Sequence, residues 1–399
     1  MTQRVDRSRL GIGWQLFPST GWGVFGINFA KQLLAQKLAV PVPLIEPLLG
    51  GADDATAAAL RPALEAWREL SAALTKLPPG GSLEVAYPVL HGLGNDLASG
   101  SELQTIHGTP DFGMVFFEDT RFTPAALAHA RERFRRILAG STWNAEVLRA
   151  RGLANVSVCL QGVDTSVFRP RPKANAFPGR FVVFSGGKLE YRKGQDLVIA
   201  AFRAFHAQHP DALLVTAWHN FWPASVASLA RSRYVRGLPD YDEDNQLRLA
   251  AWLADNGLPE DSFVALPPQP NSRMADVYRE VDVALFPNRA EGGTNLVAME
   301  CLASGAFCIL SNNTGHLDLI RATDCYVLEE QASVQPALPG EGVDGWGESS
   351  VDEILMALEW TYSDRDAARA SGEACARSMA GWDWAIQAAK LYAEIEAAL

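Results

Sequence analysis

Lys188 and Lys193 stand five residues apart in Phe184-Ser-Gly-Gly-Lys-Leu-Glu-Tyr-Arg-Lys-Gly-Gln, where a strand-like run passes through glycines toward a helix beginning near Gln195. With Arg192 they gather three cations at a strand end, in a chain whose formal net charge is −11. A diphosphate suits such a cluster, because each charge-assisted hydrogen bond contributes roughly 1.5–3 kcal/mol. A solvated basic turn is the plainer alternative. Further along, Leu285-Phe-Pro-Asn-Arg-Ala-Glu291 runs through Gly-Gly-Thr-Asn295 into a helix that carries Glu300 and stops at Gly305. Thr294 or Asn295 is the expected N-cap and Gly305 the expected stop. From Gly292 through Leu317, Glu300 is the only formally charged side chain. Such a carboxylate either faces a crevice or is tied to buried donors, a buried arginine among them. With Glu291 on the loop and Glu300 on the helix, two carboxylates flank a helix N-terminus. Its free N–H groups suit phosphate, and each carboxylate can accept from the hydroxyls of a sugar or a ribose.

Near the start, Gly21-Trp-Gly23-Val-Phe-Gly26 matches G-x-G-x-x-G between a strand and a helix, and Glu46 ends the next strand. That is the outline of a dinucleotide fingerprint, though Trp22 and Phe25 are unusual inside it. Three readings stay open: a nicotinamide site, a plain glycine turn, or a loop whose N–H groups face a phosphate or sugar.

The elements that must position these residues alternate between strand-like and helix-like runs. Strands are expected at 10–17, 39–45, 83–90, 113–117, 137–139 and 156–160, with a helix from about 26 to 36 and another over 55–75. Residues 168–180 hold three prolines, a glycine and four cations, which is linker chemistry. Strands resume at 181–185, 212–217, 262–266, 281–286 and 307–310, and a last amphipathic helix spans 382–398. The pattern implies two α/β domains with mostly parallel sheets.

Composition removes several classes. The 399 residues include 35 Lys+Arg and 46 Asp+Glu, which argues against a nucleic-acid binder relying on bulk positive charge. No apolar run approaches a membrane span, and no secretory leader is evident in MTQRVDRSR. The five cysteines (Cys159, Cys301, Cys308, Cys325, Cys375) form no CxxC pair, so they read as reduced core thiols of a cytoplasmic protein, with no metal site.

On these residues the chain resembles a GT-B glycosyltransferase of the retaining family 4 type. The resemblance rests on Gly187-Lys188-Leu189 with Lys193-Gly194, and on Glu291 and Glu300 followed by Ala303-Ser-Gly305. Ser141-Thr-Trp-Asn, Gln161-Gly-Val-Asp164 and Tyr278-Arg-Glu-Val-Asp282 add to it, and it is specific from about Gly140 to Asp318. It implies two Rossmann-like doubly wound domains facing a central cleft: an acceptor-side domain over 1–170, a nucleotide-sugar donor domain over 171–381, and a helix over 382–399 packing back on the first. It implies a retaining, metal-independent enzyme of hexosyltransferase type, with a nucleotide-diphosphate sugar as donor substrate and no cofactor. Lys188 and Lys193 would hold the diphosphate and Glu300 the ribose hydroxyls. Glu291 would contact the transferred sugar with Gly293, Thr294 and Asn295, and Gly21 and Gly23 would lie against the donor.

Two departures from the family pattern stand out. Eight residues separate Glu291 from Glu300, one more than in the family, so the family's count back from Glu300 lands on Gly292. Where many members have a histidine at an N-terminal strand end, this chain has Glu118 and Asp119, which either orient the acceptor or simply end a strand. His91 and His107 are weaker candidates.

The rival readings are a catalytically inactive GT-B sugar-nucleotide-binding protein, an NAD-dependent oxidoreductase using the Gly21–Gly26 loop, and a hydrolysing nucleotide-sugar epimerase of the same fold. The acceptor stays open among glycan, lipid-linked glycan, protein and small molecule. Arg121, Arg131, Arg133, Arg135 and Arg136 form either a solvated helix face or a surface for an anionic acceptor or the inner face of a membrane. Trp218, Phe221 and Trp222 either pack in a core or stack on a base.

Overall fold

The computed structural model describes residues 5–220, 223–244 and 246–399. It divides into two compact units, 1–162 with 382–399, and 163–381. Phe221 and Trp222, offered above as base-stacking candidates, lie outside the described residues.

Unit 1 carries a parallel six-stranded sheet: β1 (Arg9–Gly13), β2 (Val40–Pro43), β3 (Val89–Leu93), β4 (Asp111–Val115), β5 (Ile137–Ala139) and β6 (Val156–Val158), in the order β2-β1-β3-β4-β5-β6. Its helices include α1 (Gly21–Ala35), α2 (Arg61–Leu74), α3 (Pro124–Arg133) and α4 (Thr142–Ala150). Unit 2 carries β7 (Phe181–Gly187), β8 (Ala212–Trp218), β9 (Phe263–Ala265), β10 (Val283–Phe286), β11 (Phe307–Ser311) and β12 (Tyr326–Leu328), in the order β9-β8-β7-β10-β11-β12, all parallel. Helices α5 (Gln195–His206), α6 (Leu296–Ala303) and α7 (His316–Ala322) follow β7, β10 and β11. Apolar runs such as Phe181-Val-Val-Phe and Val283-Ala-Leu-Phe are buried along their whole length, as strands covered on both faces must be. Both sheets are doubly wound α/β sheets.

The glycine segment of unit 1 differs from expectation. Helix α1 begins at Gly21, not near Gly26, so Gly21, Gly23 and Gly26 are helical residues rather than a loop. Extended Thr20 caps it, its hydroxyl accepting from Gly23 N–H at 3.1 Å. A Cβ on Gly23 would stand 2.0 Å from the Phe17 carbonyl oxygen, and one on Gly26 2.6 Å from the Trp14 indole nitrogen. These two glycines let the helix close on the turn after β1. Gly21 has nothing within 4 Å of a Cβ position, and its role is not steric. Glu46 also departs from the fingerprint, since β2 ends at Pro43 and Glu46 lies exposed beyond it.

The Pro-rich stretch 168–180 is pinned to unit 2. Phe168 is buried against Tyr278, Lys173 pairs with Asp282 at 2.6 Å, and buried Glu280 accepts from Ala174 and Ala176 N–H. The change of unit falls between Gly162 and Val163. The last helix, α8 (Trp384–Glu396), belongs to unit 1, where Trp384 meets Phe25 with ring centroids 5.7 Å apart. Four of the five clustered arginines are spent on backbone carbonyls: Arg131 on Gly152, Arg133 on Ile106, Arg135 on Ala398 and Arg136 on Glu394. Arg131 and Arg135 are nonetheless exposed and Arg133 and Arg136 partly so, so these bonds fix the side chains at the surface of unit 1. Trp218 is a core residue whose indole N–H donates to Ser185 Oγ at 3.2 Å. The five thiols are unpaired. Among the described residues no helix is long and apolar enough to cross a membrane.

If the α1 glycines serve packing, Gly23→Ala lowers unfolding stability by about 1–3 kcal/mol in urea or thermal melts, while Gly21→Ala costs nothing. Equal responses from the two variants would refute the steric assignment.

Candidate functional site

In the second sheet the winding reverses between β7 and β10, and the crevice at such a point lies outside the carboxyl ends of the strands. The segments leaving β7, β10 and β11 meet there. Gly194, at φ +69°, brings the turn after β7 against the end of β10, because a Cβ would lie 2.2 Å from the Pro287 carbonyl oxygen. Arg289 and Ala290 N–H then donate to the Arg192 carbonyl at 2.7 and 3.2 Å. From β11, Gly315 approaches so closely that a Cβ would stand 1.7 Å from the Gly293 carbonyl oxygen, and its N–H donates to the Glu291 carbonyl.

Arg289 ties these segments from within. It is fully buried, its two terminal nitrogens each 2.8 Å from an oxygen of equally buried Asp196, at the start of α5. Its Nε donates to Glu348 at 2.9 Å, Nη1 donates to the Tyr191 carbonyl at 2.7 Å, and its guanidinium sits 3.8 Å over the Tyr191 ring. Sequence reasoning passed over Arg289; the available signal was a charged residue directly between an apolar strand and Glu291.

That scaffold presents Lys193 and Glu291 to one another as an ion pair, with Glu291 buried and Lys193 partly so. Glu291 also accepts from Asn288 and lies 3.5 Å from Arg192, whose other side meets Glu190 at 2.6 Å. Burial pushes the Glu291 carboxyl upward, but Lys193, Arg192 and His316 outweigh it and bring the pKa down to about 2. Burial draws the Lys193 ammonium below its ordinary value, against the pull of Glu291. Lys188 lies 3.6 Å from Glu190 and its side chain is 35% exposed. The cation cluster expected from the sequence is therefore present, with two carboxylates interleaved that were not counted as its partners. Glu291 occupies the ion-pairing position despite the longer spacing to Glu300.

Asn295 is the N-cap of α6, at φ +61°, its side-chain oxygen accepting from Ala298 N–H at 3.4 Å. Thr294 and Asn295 are buried. Glu300 projects from α6 onto Asn271, which donates at 2.7 Å, and the Tyr278 hydroxyl, which donates at 3.0 Å. Its partners are neutral donors and not the arginine held open above. Burial raises the Glu300 pKa to about 7, with Asn271 and Tyr278 pulling the other way. As a carboxylate it keeps lone pairs for further donors.

The unit 1 candidates fall elsewhere. Glu118 and Asp119 lie in the segment leaving β4, separated from its last residue by Phe116 and Phe117, and Asp119 accepts from Arg121 N–H at 2.9 Å. His91 is a core residue in β3 bonded to Asp111 at 2.8 Å, and His107 stands 3.9 Å from the same carboxylate, which also meets Arg133. Gly21 and Gly23 lie in the first turn of α1. Two glycines fixed by packing and an exposed Glu46 outside its strand leave the nicotinamide reading unsupported.

The Glu300 environment sets a pH dependence. Because its folded pKa lies above the ordinary 4.5, stability contributed by the protonated form falls away as pH rises from 4.5 to 7. The loss approaches about 3 kcal/mol in total. Glu291 acts in the opposite sense at lower pH, its contribution lost as pH falls from 4.5 toward 2. Melts of the unliganded chain should show the decline between pH 5 and 7, and Glu300→Gln should flatten it. An unchanged slope in that variant would place the titration elsewhere.

Comparison with known proteins bears on the fold and on the stretch that carries these residues. Residues 168–337 match the family described as Glycosyl transferases group 1. Relatives include the D-inositol 3-phosphate glycosyltransferases of Acidothermus cellulolyticus, 28% identical over 42% of this chain and 35% of that one, and of Nocardia farcinica, 28% identical over 61% and 48%. The matched stretch thus spans about half or less of those relatives. Among solved structures, the sucrose-phosphate synthase of Thermosynechococcus elongatus aligns over 98% of this chain and all of its own, at TM-score 0.68 and 15% identity. HepE from Anabaena, solved with UDP and glucose, aligns over 99% of this chain and all of its own, at TM-score 0.59 and 12% identity. The chain has the GT-B fold, and its residues 168–337 match the Glycosyl transferases group 1 family.

Proposed function

We propose that the chain transfers a glycosyl group from a nucleotide-diphosphate sugar to an acceptor hydroxyl, with retention of anomeric configuration and without a metal. The observation that carries this reading is the largely buried Lys193–Glu291 pair at the switch point of β7 and β10, beside the N-terminus of α6. The donor diphosphate takes Lys193 and the α6 N–H groups, with Lys188 at the exposed side. As the bond between the anomeric carbon and the phosphate oxygen breaks, negative charge grows on the diphosphate, and these groups stabilise it there. Glu291, released from Lys193, accepts hydroxyls of the sugar with Gly293, Thr294 and Asn295 around it. Glu300, in its ionised form, accepts the ribose hydroxyls, and Asn271 and Tyr278 hold it in place. In the front-face course implied by the family resemblance, the acceptor oxygen bonds to the anomeric carbon as its proton passes to the departing phosphate.

The UDP in the HepE structure supports uridine diphosphate as the first nucleotide to test. On unit 1, Glu118 and Asp119 are the proposed acceptor-orienting groups, and Gly21 and Gly23 the proposed donor-side glycines. The acceptor class stays as broad as the sequence left it.

The test is titration with UDP by calorimetry, together with transfer from UDP-glucose. Lys193→Ala should weaken UDP binding about 10–100-fold and lower kcat/KM similarly. Because that variant strands a buried carboxylate, Lys193→Met with Glu291→Gln is the control that removes both charges. The double variant should melt near the wild-type temperature and still fail to hold UDP. Wild-type UDP affinity in the double variant would overturn the diphosphate role.

A further inference from the structure

His316, the first residue of α7, is fully buried, and the reading above gives it no role. Its Nε2 lies 3.0 Å from Asn295 Nδ2 and its Nδ1 3.0 Å from Ser311 Oγ, at the end of β11. Asn295 Oδ1 already accepts from Ala298 N–H at the start of α6, so the amide nitrogen is what turns to the imidazole. An amide nitrogen only donates. His316 Nε2 must therefore accept, and the ring proton sits on Nδ1, donating to Ser311. One tautomer of one neutral ring is the only state that satisfies both neighbours.

Asn295 is also one of five non-glycine residues among those described that stand at positive φ, a conformation that asparagine tolerates with local support. Support comes from the same turn: Thr314 Oγ1 accepts from Glu291 N–H at 2.8 Å, and Gly315 N–H donates to the Glu291 carbonyl at 3.0 Å. The 311–316 segment thus grips the loop at both of its functional ends, Glu291 and Asn295.

We propose that His316 is a positioning residue for the nucleotide-sugar site, acting through Asn295 by accepting its amide N–H and so fixing the orientation of that amide at the α6 N-terminus. This rests on the donor reading above. Burial, with Lys193 nearby, holds the imidazole pKa down to about 4 against the pull of Glu291, so the ring stays neutral and able to accept across the physiological range. Three charged groups, Glu291, Lys193 and Arg192, belong to the same cluster.

Two isosteric variants separate the contacts. In His316→Gln the side-chain end reaches the Nε2 position and can accept from Asn295, while the Ser311 contact is lost. In His316→Asn the amide reaches the Nδ1 position and keeps Ser311, while Asn295 is abandoned. Calorimetric titration with UDP should find His316→Gln within about threefold of wild type and His316→Asn about tenfold weaker, the size expected when one buried donor loses its partner. Melting temperatures of the two should fall together. Equal UDP affinities in both variants would reduce His316 to a structural residue and overturn the proposal.

A second readout needs no ligand: long-range proton–nitrogen NMR of the wild-type imidazole should show the Nδ1–H tautomer at pH 7. An Nε2–H or doubly protonated ring would overturn the proposal. Failure of wild-type chain to bind UDP, with the Nδ1–H signature intact, would instead sink the donor reading and, with it, the functional half of the assignment.

Discussion

A guanidinium sealed from water at Arg289 is the constraint on which the rest of unit 2's crevice depends. An unpaired cation in that position would not be tolerated, and its partners, Asp196 and Glu348, come from segments far apart in sequence. Satisfying it therefore fixes the start of α5, the loop after β10 and the segment near 348 together. The Tyr191 ring beneath the guanidinium and the Tyr191 carbonyl beside it bring in the turn that carries Lys193. Lys193 and Glu291 face each other because neither backbone segment is free to move without breaking that cage. Packed hydrocarbon in place of such a cage often holds a fold equally well in energy, but it lacks the directional bonds that here set one backbone segment against the other.

Close backbone approach is the other half of the design, and glycine supplies it where a side chain would collide. Gly194 against Pro287 and Gly315 against Gly293 bring three strand-end segments nearer than any Cβ permits. The same device in unit 1, Gly23 against Phe17, lets α1 close on the turn after β1. A glycine spacing by itself therefore does not distinguish a ligand cradle from a tight helix contact. The distinction lies in what surrounds the glycines: buried, mutually paired charges in unit 2, and aromatic rings at α1.

Much of this was readable in the residue pattern. The alternation of apolar runs gave both sheets, and Glu300 was recognisable as tied or crevice-facing from its isolation on an apolar helix. Its real partners were hidden because Asn271 and Tyr278 are neutral and lie more than a helix away in sequence. The start of α1 was misplaced because glycine suggests a loop, whereas Thr20 capping and the steric demand of Phe17 make the same glycines helical. The carbonyl partners of Arg133, Arg135 and Arg136 were not legible, because composition shows charge and not the backbone oxygens that accept from it. Arg289 and His316 were missed for one reason: each matters through residues that only the tertiary structure brings beside it.

The resting site is close to charge balance, and that bears on how an anion enters it. Lys188, Arg192 and Lys193 are interleaved with Glu190 and Glu291, leaving one net positive charge spread over five groups. A buried cation waiting unpaired for its ligand would pay desolvation in every unliganded molecule; a carboxylate partner removes that penalty until the ligand arrives. Under the proposed reading, a diphosphate then competes with Glu291 for Lys193, and the displaced carboxylate still has to find hydrogen-bond donors in a dry pocket. Sugar hydroxyls are such donors, so phosphate binding and sugar binding are coupled through one side chain. A nucleotide diphosphate lacking its sugar would leave Glu291 short of a partner, which favours the intact donor over its product.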